Sequence, residues 1–258
     1  MIYEIDPIIT LNDVSMTYNT PTSEVEAIKD ISFSVNKNEF ISLVGCSGCG
    51  KSTILSIISG LIKPTSGEVY YKNKLIEGTS NDMGYMLQSD HLFPWCNVME
   101  NVCLGLKIRN CDTRQGRERV MGMLSAYGLS DFAQSYPREL SGGMRQRAAL
   151  VRTLALDPEV LLLDEPFSAL DYQTRINVSA DIASIIRSRR KTAILVTHDI
   201  SEAISLSDRV IILTKRPARI KKVIAIELDK SMSVLDRRKD PSFSRYFDMI
   251  WEEMNYDQ

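Results

Sequence analysis

The chain has 258 residues, 44 % of them hydrophobic and 25 % charged, enough for one domain with a subdomain or tail around a sizeable core. Lys and Arg total 31 against 33 Asp and Glu, and the net charge of -2 gives no reason to expect binding to nucleic acid or anionic lipid. The Cys count is 5, an odd number that describes no disulfide framework and points to a reducing, cytosolic compartment.

The opening Met1-Ile2-Tyr3-Glu4-Ile5-Asp6 is acidic and does not lead into an apolar stretch, so no secretory leader is expected. No apolar run reaches the roughly 18 residues of a membrane span. Any work at a membrane therefore needs a partner to hold the chain there. Residues 8–35 alternate apolar and polar, as in Ile31-Ser32-Phe33-Ser34-Val35, and predict antiparallel strands. Residues 40–44, 160–163, 192–197 and 209–213 are short apolar runs with β-branched residues, and read as buried strands. Helical spacing follows Lys51 and recurs over residues 142–156 and 172–189. Strands alternating with helices predict an α/β fold with a mostly parallel sheet. Residues 99–136 hold no strand pattern and read as a helical insertion. A basic stretch, Lys215-Arg216-Pro217-Ala218-Arg219, precedes a strand candidate at 223–226 and an apolar-patterned tail at 243–254.

Gly45-Cys46-Ser47-Gly48-Cys49-Gly50-Lys51-Ser52 matches G-x-x-x-x-G-K-[ST] between a strand and a helix. Glycines let the backbone curl so that its N–H groups converge on phosphate oxygens, and the helix start adds a positive dipole end. Lys51 is expected at the β- and γ-phosphates, with Thr53 beside it in the cradle, and the Ser52 hydroxyl on Mg²⁺. Cys46 and Cys49 also spell C-x-x-C. Both fill variable positions of the loop and no Cys or His pair follows at zinc spacing, so neither a redox nor a zinc site is expected. Lys51 and the loop amides are expected to lower the Cys49 thiol pKa.

Asp164 and Glu165 end the apolar run at 160–163, where an open α/β sheet binds ligands. Asp164 is the expected Mg²⁺ ligand and Glu165 the expected general base for water. Leu140-Ser141-Gly142-Gly143-Met144-Arg145-Gln146-Arg147 places a Ser and two Gly at a second helix start, another anion-binding end with Ser141 as N-cap. This segment resembles the signature of ABC ATPases.

The resemblance covers about residues 11–219 and implies an α/β P-loop NTPase core over 1–98 and 137–230. That core carries a mostly parallel sheet and an N-terminal antiparallel β subdomain. A helical subdomain at 99–136 and a helical tail at 231–258 complete the expected organisation. The resemblance makes Tyr18 the adenine-stacking aromatic. Gln88 becomes the Q-loop glutamine, a Mg²⁺ and water contact, and Ser168-Ala169-Leu170-Asp171 the D-loop. His198 becomes the switch histidine near the γ-phosphate. It further implies a homodimer that sandwiches ATP, with the phosphate loop, Asp164, Glu165, Gln88 and His198 of one copy facing Ser141, Gly142 and Gly143 of the other.

With no membrane helices of its own, the chain is expected to work peripherally at the cytoplasmic face of the membrane. It would join a separate permease, indirectly served by a solute-binding protein, and bind no nucleic acid. Leu92-Phe93-Pro94-Trp95 resembles the L-L-P-W element of nitrate/sulfonate/taurine importer ATPases. Arg216-Pro217-Ala218-Arg219-Ile220 resembles their R-P-G-R-I stretch, with Ala218 where that group has Gly. Nitrate, organic sulfonates and thiamine-precursor pyrimidines all suit look-alikes. A soluble ABC ATPase acting on DNA or the ribosome would need tandem ATPase domains or a long coiled coil. A purely regulatory module would not need Lys51, Glu165 and His198 intact.

Overall fold

The computed structural model describes residues 7–20, 23–168, 170–229 and 232–255. Residues 1–6, on which the leader expectation rests, and Ala169 of the expected D-loop lie outside the described residues. The order begins with β1 (Pro7–Thr20), β2 (Ser23–Asn36), β3 (Phe40–Val44), α1 (Lys51–Ile58), β4 (Ser66–Tyr71), β5 (Lys74–Leu75) and β6 (Met83–Met86). Three helices follow: α2 (Val98–Ile108), α3 (Arg114–Ala126) and α4 (Gly142–Leu154). The rest runs β7 (Val160–Asp164), α5 (Tyr172–Ser188), β8 (Thr192–Thr197), α6 (Ile200–Leu206), β9 (Arg209–Leu213), β10 (Ile220–Ala225), α7 (Val234–Arg237) and α8 (Pro241–Asn255).

The strands form two sheets. One is antiparallel, in the order β2-β1-β4-β5. The other has the order β10-β9-β3-β8-β7-β6 and is parallel except at its β10 edge. The α/β fold with a mostly parallel sheet and an N-terminal antiparallel layer is thus present.

The central strands β3, β7 and β8 are buried along their whole length, and mostly apolar, because both faces are covered. Their side chains still alternate. Leu161, Leu163, Ala193 and Leu195 enter a core shared with α2, α3, α4 and α5. Val160, Leu162, Ile194 and Val196 enter the opposite core, with α1 and the antiparallel sheet's Ile9, Leu11, Ile28 and Ile31. A third cluster joins Ile204 on α6 and Ile212 on β9 to Ile250 on α8. Lys222 pairs with Glu253 at 2.7 Å beside it, so the tail helix is anchored by both apolar and ionic contacts. No helix among the described residues is long and apolar enough to cross a membrane.

Candidate functional site

Parallel pairing brings four strand ends into one row. Val44 pairs with Thr197, Asp164 with Val196 and Met86 with Leu163. The phosphate loop therefore emerges next to His198, His198 next to Glu165, and Glu165 next to Gln88. Residues 40–200 of the sequence meet here because a parallel sheet returns every strand in the same direction.

The loop leaves β3 and enters α1 through Gly48 and Gly50, at φ 73° and 124°. Gly50 is forced: a Cβ there would lie 2.7 Å from Ile28 Cγ2 and 3.0 Å from the Ala27 carbonyl. Gly50 is also the N-cap of α1 and supplies no side-chain cap. Lys51 is buried and bends back over the loop. Its Nζ donates to the Gly45 and Cys46 carbonyls at 2.8 and 2.9 Å. Cys49 Sγ stands 4.0 Å from that amine, yet burial pushes the thiol up and the amine only opposes the shift. The expectation of a lowered thiol pKa is therefore corrected: Cys49 sits under the loop against Gly45, where desolvation outweighs the nearby charge.

Asp164 is buried at the end of β7. Burial raises its pKa, and a hydrogen bond from Ser52 opposes that rise. Glu165 follows in a left-handed conformation, φ 44°, uncommon for a residue with a side chain and typical of strained functional positions. Its Oε2 accepts from Gln88 Nε2 at 3.2 Å and lies 3.2 Å from His198 Nδ1. Two of the sequence candidates, Gln88 and His198, thus converge on the carboxylate of a third. Ser52, Asp164 and the Gln88 amide oxygen are hard oxygen donors of the kind Mg²⁺ takes, and they fit an ion whose shell is completed by phosphate and water. Among the described residues there is no cluster of three or more His, Cys, Asp or Glu that could hold a metal.

Ser47, Gly48, Gly50, Lys51, Ser52, Thr53, Gln88 and Glu165 line one cleft. Tyr18 stands at its antiparallel-sheet side, half exposed, its hydroxyl 3.4 Å from Thr53 Oγ1. Ser141, Gly142 and Gly143 do not line it; they begin α4, where the Ser141 hydroxyl accepts the Met144 N–H at 3.3 Å. Asp171 does not line it either. Its carboxylate caps α5 by accepting the Thr174 N–H at 3.0 Å, and hydrogen bonds from the Thr174 side chain first and its N–H second hold its pKa down.

The ABC transporter family model matches residues 28–168. The chain belongs to the ABC transporter family. An uncharacterized ABC transporter ATP-binding protein of Bacillus subtilis, YtlC, is 46 % identical over 246 residues, 95 % of each chain. The nitrate import ATP-binding protein NrtD of Synechocystis is 37 % identical, covering 94 % of this chain and 93 % of that one. The aliphatic sulfonates import ATP-binding protein SsuB of Bacillus cereus is also 37 % identical, over 96 % of each. A solved dimer of the ATP-binding cassette MJ0796 in a post-hydrolysis state, bound to ADP and Pi, superposes with a TM-score of 0.77. It is 32 % identical and covers 86 % of this chain and 100 % of that one. The chain is accordingly an ATP-binding ATPase of the ABC type.

Two further residues of this ABC ATPase shape the site: Asn101, which carried no signal in the sequence, and Arg216, which stood there only in the R-P-G-R-I-like stretch, with no role at the phosphate loop. Arg216 lies in the basic stretch, 168 positions from Gly48, and its guanidinium donates to the Gly48 carbonyl at 2.6 and 3.2 Å. It completes the cleft lining. Asn101, fully buried on α2, donates to the Phe93, Cys96 and Asn97 carbonyls and accepts the Phe93 N–H at 2.7 Å. That one side chain fixes the loop after Gln88. Leu92 is buried beneath it, whereas Trp95 is 71 % exposed and stacks on Phe93 with ring centroids 5.1 Å apart. Asp90 in the same loop pairs with Arg145 on α4 at 3.0 Å, joining the loop to the signature helix.

Proposed function

We propose that this ATPase drives an importer for a small anionic solute of the nitrate, sulfonate or taurine kind, through a separate permease at the cytoplasmic face of the membrane. The observation that carries the hydrolytic part is the convergence of Gln88 and His198 on Glu165, with only β8 between its strand and the one that leads to Lys51. The importer part is supported by near-equal likeness to a nitrate and a sulfonate import protein. It is also supported by the exposed Phe93-Trp95 stack beside Gln88, since exposed apolar surface of this kind suits a partner. A thiamine-precursor pyrimidine is the second solute reading.

In this reading ATP lies over the phosphate loop, with Tyr18 against the adenine and the loop amides, Lys51 and Thr53 around the phosphates. Ser52, Asp164 and Gln88 hold Mg²⁺, which neutralises charge on the phosphate oxygens. Glu165 accepts a proton from the attacking water, and Gln88 and His198 fix its carboxylate. Arg216 braces the loop from outside. Ser141, Gly142 and Gly143 of a second copy close over the γ-phosphate, so two copies sandwich two ATP molecules. Asp171 serves that interface through the start of α5. Residues 99–136 form the unit that moves with α4, residues 1–98 and 137–230 the ATPase core, and residues 231–258 its tail. Loss of the γ-phosphate removes the charged bridge and reopens the dimer. A solute-binding protein outside the membrane selects the cargo.

Glu165→Gln tests this directly. The variant is expected to bind Mg-ATP, accumulate as an ATP-bound dimer on size exclusion, and hydrolyse ~10²–10⁴ times more slowly. Steady-state turnover near the parent rate would remove Glu165 from the role.

A further inference from the structure

Arg175, in the first turn of α5, reaches two loops that the reaction uses. Its Nη2 donates to the Leu170 carbonyl at 3.0 Å. Its Nη1 lies 3.6 Å from Asp199 Oδ2, and its Nε lies 3.8 Å from Glu202 Oε1. The Nε is buried and has no hydrogen bond, so the contact to Glu202 is an ion pair with room to tighten. Glu202 is buried in α6 and accepts the Thr197 hydroxyl at 2.7 Å. The same Thr197 oxygen accepts the Asp199 N–H at 3.0 Å, and Asp199 Oδ1 caps α6 by accepting the Glu202 N–H at 3.1 Å. His198 is therefore gripped on both sides, by Thr197 and Asp199, and both grips lead to Arg175. On the other side, Leu170 and Thr174 press against the signature glycine. A Cβ at Gly143 would stand 3.2 Å from Leu170 Cδ2 and 3.4 Å from Thr174 Cγ2.

We infer that Arg175, with Glu202, is a positioning pair that ties the signature end of α4 and the Leu170-Asp171 segment to His198, and so sets how His198 meets Glu165. The inference rests on the hydrolytic reading of Glu165 and His198 given above. In a dimer the signature end serves one ATP and His198 of the same copy serves the other, so this strut links the two sites through one subunit. Two features mark it as positioning rather than stabilising. The ion-pair distances are long, and Glu202 carries a cost: burial pushes its carboxyl up to about 7, with Thr197, Arg175 and His198 lowering it and Asp199 raising it. The folded chain thus holds this proton more tightly than the unfolded chain. The cost to stability begins above the ordinary carboxylate range and is complete above about pH 7. A group that costs stability and still sits behind the switch histidine has another use.

The test compares Arg175→Met, Arg175→Lys, Glu202→Gln and Glu165→Gln in the full chain, with Arg117→Gln as an exposed ion-pair control far from the site. Melting temperature at pH 8, Mg-ATP Kd, and KM and kcat of hydrolysis are measured for each. Arg175→Met is expected to lower kcat ~10- to 100-fold by misplacing His198, with Kd and KM within twofold of the parent. Arg175→Lys recovers part of that loss, because it restores the charge but not the planar bridge. Glu202→Gln is expected to raise the melting temperature while lowering kcat, a combination that a purely structural role does not give. If Arg175→Met does not fold, Glu202→Gln decides alone. A higher melting temperature with unchanged kcat overturns the proposal, as does parent-like kcat in a folded Arg175→Met. Parent-like turnover in Glu165→Gln removes the hydrolytic reading and the proposal with it. A slow Glu165→Gln beside parent-like Arg175→Met and Glu202→Gln removes only the strut.

Discussion

The chain has two glycine-rich helix starts, and they treat their polar groups in opposite ways. At α1 the N-cap is Gly50, no side chain closes the end, and Lys51 leans over the loop's own carbonyls. At α4 the N-cap is Ser141, and its hydroxyl already accepts the Met144 N–H. The first end opens onto the same chain's cleft. The second is capped by its own side chain and lies outside that cleft; in the proposed function it meets a phosphate held by another copy. Both use the dipole end of a helix, and the sequence patterns alone do not show that only one is open.

The largest effect is expected at the open end. Lys51→Ala is expected to abolish measurable Mg-ATP binding by the full chain and to cut hydrolysis by ~10²–10³ or more, the loss typical of one electrostatic donor in a preorganised site. Unchanged binding in a calorimetric titration would contradict the account of α1. The closed end predicts a smaller, split effect. Ser141→Ala loses a cap and is expected to cost about 1 kcal/mol of stability. It also slows steady-state hydrolysis, while ATP affinity of the monomeric chain stays as it was. Denaturant unfolding and titration on the same sample check both halves.

The strand core was legible because burial on both faces leaves continuous apolar runs: 40–44, 192–197 and 209–213 coincide with β3, β8 and β9. The strands that the pattern did not reveal lack such runs. β4 begins Ser66-Gly67-Glu68 and is exposed there, since it belongs to a sheet edge region. β6 has only four residues and holds Gly84, where a Cβ would lie 2.8 Å from Pro158 and 2.9 Å from Thr153. Close approach, not β-propensity, chose that residue. β10 starts at Ile220, three positions before the expected run, because an edge strand pairs through its backbone while Lys221 and Lys222 reach Glu253 on α8. In the site, the motif residues Lys51, Asp164, Glu165, Gln88 and His198 were readable from spacing and resemblance. Asn101 and Arg175 were not, and Arg216 stood only in a resembling stretch without its role, since each acts through backbone carbonyls or carboxylates brought near by the fold. Nothing in the sequence signals the left-handed Glu165 backbone.

Away from both helix starts the expected effects are smaller. Trp95→Ala is expected to weaken assembly with the permease or uncouple transport from hydrolysis, leaving ATP affinity and folding of the isolated chain unchanged, because Leu92 and Asn101 hold the loop from below. Co-purification with the permease and a melting curve check it; loss of folding instead would place Trp95 in the core. The smallest effect concerns thiols. A small maleimide at neutral pH is expected to label exposed Cys46 and Cys111 well before buried Cys49. Modification of Cys49, once it occurs, blocks ATP binding, and bound ATP protects it. Peptide mapping of a time course gives the order, and Cys49→Ser tests the block: inhibition as strong as in the parent would place the inhibiting thiol elsewhere.

In the proposed function each hydrolytic site takes its phosphate loop from one copy and its signature end from another. Mixing two inactive variants measures this directly. Lys51→Ala spoils the loop and leaves the signature intact, whereas Ser141→Arg spoils the signature and leaves the loop intact. Each variant alone has one damaged half in every site. A mixed dimer has one site with both halves whole. A 1:1 mixture is therefore expected to recover hydrolysis, to about a quarter of the parent rate for random pairing into twofold dimers with independent sites. A mixture no more active than its two components would contradict the account.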